Sequence, residues 1–136
     1  MDKVKTIAIN VAAVVAISLA LLWGNTLYRQ YVQFDKGEKA LLAGDFTAAV
    51  AGYEAAIHMY TPGSSVVPRA AQKLWDLAQM AEGRHDTARA LIAYRALRSS
   101  FYAVAGSYAP GQDWIARCDA RIADLVLQQK GRPGAS

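Results

Sequence analysis

The chain has 136 residues, of which 54% are hydrophobic, and its formal net charge is +4. This length allows one small domain with appendages, and the sole cysteine, Cys118, excludes an intrachain disulfide. Only one aromatic residue, Tyr94, and no glycine-rich loop stand among the arginines of the central region. This favours a solvated basic face over a nucleic-acid surface and leaves an anionic lipid or acidic partner open. These arginines are Arg84, Arg89, Arg95 and Arg98.

The first predicted element is a transmembrane helix at residues 6–27, after a short basic N-terminus at 1–5. Residues 7–23 read IAINVAAVVAISLALLW and contain no charged side chain. Continued to Leu27, the helix would rise about 30 Å, which is enough to cross the apolar core of a bilayer. Aromatic residues follow where an interfacial belt would lie: Trp23, Tyr28 and Tyr31.

A cleaved signal peptide is the alternative, because MDKVK resembles its basic first region. The apolar run is too long for that, no small-residue cleavage site closes it, and no cysteine follows for a lipoprotein, so we favour an uncleaved anchor. Positive charges are nearly balanced on the two sides of the predicted transmembrane helix. The short basic N-terminus favours a cytoplasmic start, so we expect a single-pass inner-membrane protein, bacterial in type, with a periplasmic domain.

The predicted membrane helix also carries small residues at every fourth position, a spacing that permits close helix crossing in lipid. They are Ala8, Ala12, Ala16, Ala20 and Gly24. Each step drifts about 40° around the helix, so only three of them share a face. Specific helix packing and a chance pattern in an alanine-rich chain both remain open.

An all-α domain is predicted at 28–129, followed by a disordered tail at 130–136. Strand patterns are absent, and apolar residues recur at helical spacing between breakers. Aspartates stand where N-caps would be, and Pro68 suits a first helical turn. The predicted caps are Asp45, Asp86 and Asp113, and the predicted helices are 28–43, 46–60, 68–82, 87–105 and 113–129. Only Gly24 and Asn25 interrupt the run from the membrane helix, so one long helix is the alternative.

An internal repeat appears when the chain is shifted by 41 residues. The match runs across two helices without a gap, and the paired residues share type and spacing. The pairs include Phe34 with Trp75, Gly37 with Ala78, Asp45 with Asp86, Tyr53 with Tyr94, and Tyr60 with Phe101. The sequence therefore predicts two copies of one helical hairpin.

The first copy, GEKALLAGDFTAAVAGYEAAIHMYTP, resembles the tetratricopeptide repeat in its order of small and large residues. The matching residues are Gly37, Ala40, Gly44-Asp45-Phe46, Ala49, Tyr53, Ala56 and Pro62. Small residues at Gly37, Ala49 and Ala56 would let two antiparallel helices approach closely, and aromatic residues would fill the gaps. The second copy departs from the pattern, since His85 replaces the turn glycine and the connection between copies is longer.

The resemblance implies two hairpins closed by a C-terminal capping helix, because a short repeat array exposes an apolar face. The last helix has one apolar stripe, which predicts a buried Cys118. Its members are Ile115, Cys118, Ile122 and Leu125. The resemblance also implies a partner groove lined by the first helix of each hairpin: Tyr31, Glu38, Gln72, Trp75 and Gln79. Trp75 matches Phe34, which favours a structural aromatic residue over a ligand anchor.

Glu54 and His58 are four residues apart, so a local interaction on the second helix is expected. A metal site would need further ligands. Met59 and Cys118 are candidate soft ligands for haem or copper, but the sequence has no CxxCH motif and no methionine-rich run. No nucleophile with a base, phosphate loop or distinctive carboxylate pair is present, so no enzyme and no cofactor are predicted.

The sequence thus predicts a membrane-anchored scaffold or adaptor that binds or assembles protein partners in a membrane complex. Contacts would come from the helical domain, from the transmembrane helix, or from both. A receptor for transported or exported peptides and a haem or copper accessory factor are the alternatives.

Overall fold

The computed structural model of the protein describes residues 2–59, 64–104 and 111–131. Within these ranges the chain is all-α and contains no strand, as predicted. The helices are α1 (Asp2–Leu42), α2 (Phe46–His58), α3 (Val66–Gly83), α4 (Thr87–Ala103) and α5 (Gly111–Lys130). Each helix packs against the next one along the chain, and α2 also contacts α4.

The first helix is continuous through Gly24 and Asn25, so the alternative of one long helix is correct. Its 41 residues extend about 60 Å at 1.5 Å per residue. The N-terminal part has an 18-residue window of mean hydropathy 2.3, none of it buried, whereas Gln30, Phe34 and Gly37 are buried against the rest of the domain. By length and composition, α1 is therefore able to span a membrane.

Several predicted helix boundaries are wrong. Helix α3 begins at Val66, so Pro68 is its third residue, where the missing N–H would have had no intrahelical partner. Helix α5 begins at Gly111, which places Asp113 inside its first turn and not at an N-cap. Helices α2 and α4 end at His58 and Ala103. The predicted helix ends at 60 and 105, Pro62 and tail residues 132–136 lie outside the described residues.

The two predicted hairpin turns have the same N-cap geometry. The carboxylate of Asp45 accepts a hydrogen bond from the backbone N–H of Ala48 at 3.1 Å. The carboxylate of Asp86 accepts one from Arg89 at the same distance. Each cap satisfies an N–H that has no partner within its own helix. These two N-cap predictions are confirmed.

The residue before each cap has a left-handed backbone conformation, with φ of 77° at Gly44 and 59° at His85. The N–H of Asp45 then bonds the carbonyl of Ala40, and that of Asp86 bonds the carbonyl of Ala81, both at 2.9 Å. The replacement of the turn glycine by His85 in the second copy therefore does not change the turn, because His85 adopts the left-handed conformation itself. An exposed histidine in this region carries strain that glycine would not.

We expect His85→Gly to raise the free energy of unfolding by about 1 kcal/mol, because it removes this strain. The matched variant is Gly44→Ala, whose added Cβ has nothing within 4 Å but would be strained by the positive φ. It should lower stability by about 1 kcal/mol. Thermal unfolding of the full chain in detergent micelles measures both. A stabilising Gly44→Ala would contradict the turn geometry.

Helices α1 and α2 approach each other closely at two glycines. A Cβ built on Gly52 would lie 2.6 Å from the backbone nitrogen of Gly37 and 2.7 Å from its Cα. Gly37 was expected to permit such an approach, as were Ala49 and Ala56, both of which are fully buried. Gly52 was not singled out, yet it is the residue that the contact most restricts.

Within a core of mostly alanine, valine and leucine side chains, aromatic pairs join neighbouring helices. The rings of Phe34 and Tyr53 meet edge to face at 5.5 Å, and those of Trp75 and Tyr94 do so at 5.1 Å. These two pairs are related by the 41-residue shift and have interplanar angles of 61° and 68°. The repeat seen in the sequence is thus also a repeat of side-chain packing.

Candidate functional site

The five residues expected to line a partner groove fall into two groups. Gln72 and Gln79 are exposed on α3, and Tyr31 is exposed on α1. Glu38 and Trp75 are half-buried and engaged with neighbouring helices. Along α1, Tyr31 lies two helical turns, about 10 Å, before Glu38.

Glu38 joins the first three helices. Its carboxylate accepts a hydrogen bond from the hydroxyl of Tyr53 at 2.7 Å and lies 3.6 Å from the ammonium of Lys73. Burial and, second, this hydrogen bond raise the pKa of the Tyr53 phenol above its ordinary value. Glu38 thus connects α1 to α2 and α3, which leaves less of its carboxylate for a ligand.

Trp75 lies between three helices. Besides Tyr94 on α4, its ring meets Trp114 on α5 at 6.0 Å, and Trp114 in turn stacks on Phe101 at 6.4 Å. These contacts hold α5 against the second hairpin. The packing agrees with the interpretation of Trp75 as a structural aromatic residue.

A second connection to α5 is polar and was not foreseen. The carboxylate of Glu82 at the end of α3 accepts hydrogen bonds from the Tyr94 hydroxyl and from the guanidinium of Arg121, which also pairs with Asp124 at 3.0 Å. The Glu82 side chain is only 20% exposed. No spacing in the sequence indicates this connection, because only tertiary packing brings α3, α4 and α5 together.

The acid stability of the domain is expected to depend on Glu82. Burial alone would raise the pKa of its carboxyl, but the hydrogen bonds from Arg121 and Tyr94 outweigh burial and lower the pKa below the usual 4.5. The pair therefore stabilises the fold above pH 4.5, and this contribution is lost as pH falls through the folded-state pKa. Glu82→Gln should reduce stability at pH 7 and flatten its decline below pH 4.5. The unfolding midpoint measured across pH tests this.

Glu54→Gln is the control for that experiment. The Glu54 carboxylate lies 3.9 Å from the His58 imidazole, and both side chains are substantially exposed. Such a pair contributes only a few tenths of a kcal/mol. An acid profile that changes as much in Glu54→Gln as in Glu82→Gln would contradict the role assigned to Glu82.

The histidine, methionine and cysteine considered for haem or copper do not share one helix. His58 is exposed at the end of α2 and Met59 follows it, whereas Cys118 is fully buried on α5. Among the residues that the structure describes, no group of three or more His, Cys, Asp or Glu side chains could hold a metal ion. His85, in the turn between α3 and α4, is exposed.

Cys118 is buried within the apolar stripe of α5, as predicted, together with Ile115 and Leu125. Burial raises the pKa of its thiol to about 12, so the reactive thiolate is scarce at neutral pH. We expect a maleimide reagent to leave the native protein unlabelled and to label it once in urea. Mass spectrometry gives the result directly because the chain has one cysteine. Rapid labelling of the native protein would contradict this burial.

Two surface depressions were not indicated by the sequence. One of about 380 Å³ lies between α2 and α4, with Val50, Glu54 and Arg95 among its lining residues. Another of about 290 Å³ lies near the hairpin turns, where Phe46 and Met80 form part of its wall. Both are open to solvent.

The ladder of small residues on α1 faces open space. Ala8, Ala12, Ala16 and Ala20 are exposed, and Gly24 is half-buried. Large apolar residues on the same segment are equally uncovered, for example Leu21 at 69% and Leu22 at 63%. An isolated segment of this kind requires lipid or another helix around it.

Arg84, Arg89 and Arg95 are exposed, which agrees with a solvated basic face. Arg98 instead pairs with Asp119 on α5 and packs over the ring of Tyr102.

Comparison with known proteins supplies no family: no family model, no curated protein and no solved structure matches the chain.

Proposed function

We propose that the protein is a membrane-anchored scaffold or adaptor whose helical domain holds partner proteins in a membrane complex. The observation that carries this proposal is the dual environment of α1. Its apolar N-terminal part is wholly exposed, while its C-terminal part contributes Phe34 and Gly37 to the domain core. Because one unbroken helix forms both the apolar N-terminal part and the part in the domain core, the domain is joined to the anchor without a flexible linker.

We further propose that the two hairpins are tetratricopeptide-like. Support comes from the repeated features: edge-to-face aromatic pairs, aspartate N-caps and left-handed turn residues, all related by 41 residues. Helix α5 would then be the cap, held by Trp114 and Arg121. Repeat domains of this kind present surfaces to partners and need no chemistry of their own.

For location, we propose the bacterial inner membrane with the domain in the periplasm. The support is the short basic segment of Lys3 and Lys5 before the apolar run. A reporter enzyme that is active only in the periplasm, fused after Ser136, should be active in cells. Activity of a cytoplasm-only reporter at the same junction would overturn this orientation and leave the anchor itself standing.

Site-specific photo-crosslinking tests the scaffold proposal. A crosslinking amino acid at Gln72 or Gln79 should capture one protein in a fixed ratio, from membranes of the source cell. The matched control is Ile92, exposed on α4 at 51%. With the crosslinking amino acid at position 79, the additional substitution Gln72→Arg should abolish the adduct. No adduct at either glutamine, or equal adducts at Ile92, would count against a partner on this face.

A receptor for transported or exported peptides is the second candidate. Gln72, Asp76 and Gln79 are exposed on α3, and polar side chains of this kind can bond the backbone of an extended peptide. In that case the same crosslinkers would capture many small and transient species in place of one stoichiometric partner.

A further inference from the structure

One end of the helical domain, where α2 ends and α3 begins, lies almost level with the end of the apolar segment of α1. The amide of Gln30 donates a hydrogen bond to the carbonyl of Ala56, in the last turn of α2, at 3.0 Å. The guanidinium of Arg69, near the start of α3, lies 4.8 Å from the ring centre of Phe34. Gln30 follows Leu27 by three residues, a rise of about 4.5 Å.

The end of α4 and the start of α5 lie at the same end of the domain. Helix α4 runs antiparallel to α3, since Tyr94 meets Trp75 while the N-cap of α4 follows the end of α3. Phe101, near the end of α4, stacks on Trp114, in the first turn of α5. Four helix termini therefore lie at the end of the domain where α1 enters it.

This end differs from the opposite one in charge. The described residues at this end carry no charge at 59, 64–68, 99–104 and 111–112. In a chain with 19% charged residues, these roughly 14 positions would carry about two or three charges by chance. The turn at the opposite end, 82–86, carries Glu82, Arg84 and Asp86.

We propose that this end of the domain lies in the headgroup layer of the bilayer that α1 crosses. We call it the membrane-proximal face and define it by Tyr28, Met59, Ser65 and Tyr102. Tyr28 and Tyr102 are 68% and 52% exposed, and tyrosine favours the membrane–water interface because its ring is apolar and its hydroxyl polar. Arg69, on the first turns of α3, lies within reach of lipid phosphates.

This inference rests on the proposed anchor and adds the orientation of the domain. With this end in the headgroups, the domain extends about 30 Å from the bilayer, the length of the 20 residues of α5. The partner must then be a membrane protein or one that works close to the lipid surface. It must also approach from the side or from the hairpin turns.

Spin labels on α4 test the proposal. The full chain, in a Cys118→Ala background, carries one label at Tyr102→Cys or at Ala88→Cys and is reconstituted in phosphatidylcholine–phosphatidylglycerol vesicles. These positions lie about 21 Å apart on one helix, and Ala88 is exposed at the opposite end. Collisions with a water-soluble nickel chelate should be several-fold fewer at Tyr102 than at Ala88, and collisions with oxygen more frequent.

Two further labels make each outcome decisive. Ser65→Cys, exposed before α3, should behave like Tyr102→Cys and excludes an effect of one substitution. Val15→Cys reports on the anchor. If Val15 is in hydrocarbon while Tyr102 and Ser65 are as accessible to the chelate as Ala88, the membrane-proximal face is refuted and the anchor stands. If Val15 is also accessible to the chelate, the anchor is refuted and this inference with it.

Discussion

Gly52→Ala is expected to lower the free energy of unfolding of the helical domain by about 3 kcal/mol. The added Cβ would lie 2.6 Å from the backbone nitrogen of Gly37, and a backbone atom cannot rotate away as a side chain can. Helices α1 and α2 would have to separate, which would also loosen Phe34 against Tyr53. Urea unfolding of the full chain in micelles, followed by near-ultraviolet circular dichroism, measures the loss.

Gly83→Ala is the matched control, because its Cβ would have nothing within 4 Å. Gly83 ends α3, and alanine is favoured over glycine in a helix by about 1 kcal/mol, so stability should stay the same or rise slightly. If Gly52→Ala and Gly83→Ala unfold at the same urea concentration, the close approach of α1 and α2 is not as the structure shows it.

Trp75→Ala is expected to cost about 3 kcal/mol and to release α5. The substitution removes the ring that contacts Tyr94 on α4 and Trp114 on α5. Trp75→Phe should recover part of the loss, because Phe34 occupies the matching position of the first hairpin and packs on Tyr53 in the same way. Thermal unfolding gives the stability, and proteolysis near the start of α5 reports its release.

Gln79→Ala is the control on the same helix, one turn from Trp75 and exposed. A substitution at such a position changes stability by less than about 0.5 kcal/mol. If Trp75→Ala instead left stability unchanged and abolished the crosslink at Gln72, Trp75 would be a partner anchor and not a structural residue.

Local patterns in the sequence were sufficient for the helical class and for the hairpin turns. Aspartate N-caps at Asp45 and Asp86 act within a few residues of their own position, so the chain around them determines their geometry. Asp113 failed as a cap because α5 starts at Gly111, a boundary that no local signal marked. Predicted helix ends are less certain than helices, since terminal turns are decided by their packing.

The partner groove was inferred from a resemblance, and the structure divides it. Gln72 and Gln79 remain exposed, while Glu38 is held by Tyr53 and Lys73. The sequence did not show that division, because these partners are 15 and 35 residues away from Glu38 along the chain. The connection of Glu82 to Arg121 escaped prediction for the same reason.

By itself, the sequence determined three things: the apolar helix at the N-terminus, the helical periodicity, and the 41-residue repeat. Each depends on side-chain type and spacing within one or two helices, where the 3.6-residue period alone sets which residues share a face. Tertiary structure decided the rest: the contact of Gly37 with Gly52, the half-burial of Trp75, and the level of the domain against the end of α1. Those features depend on how closely and at what height two helices meet, and backbone approach and side-chain packing set both.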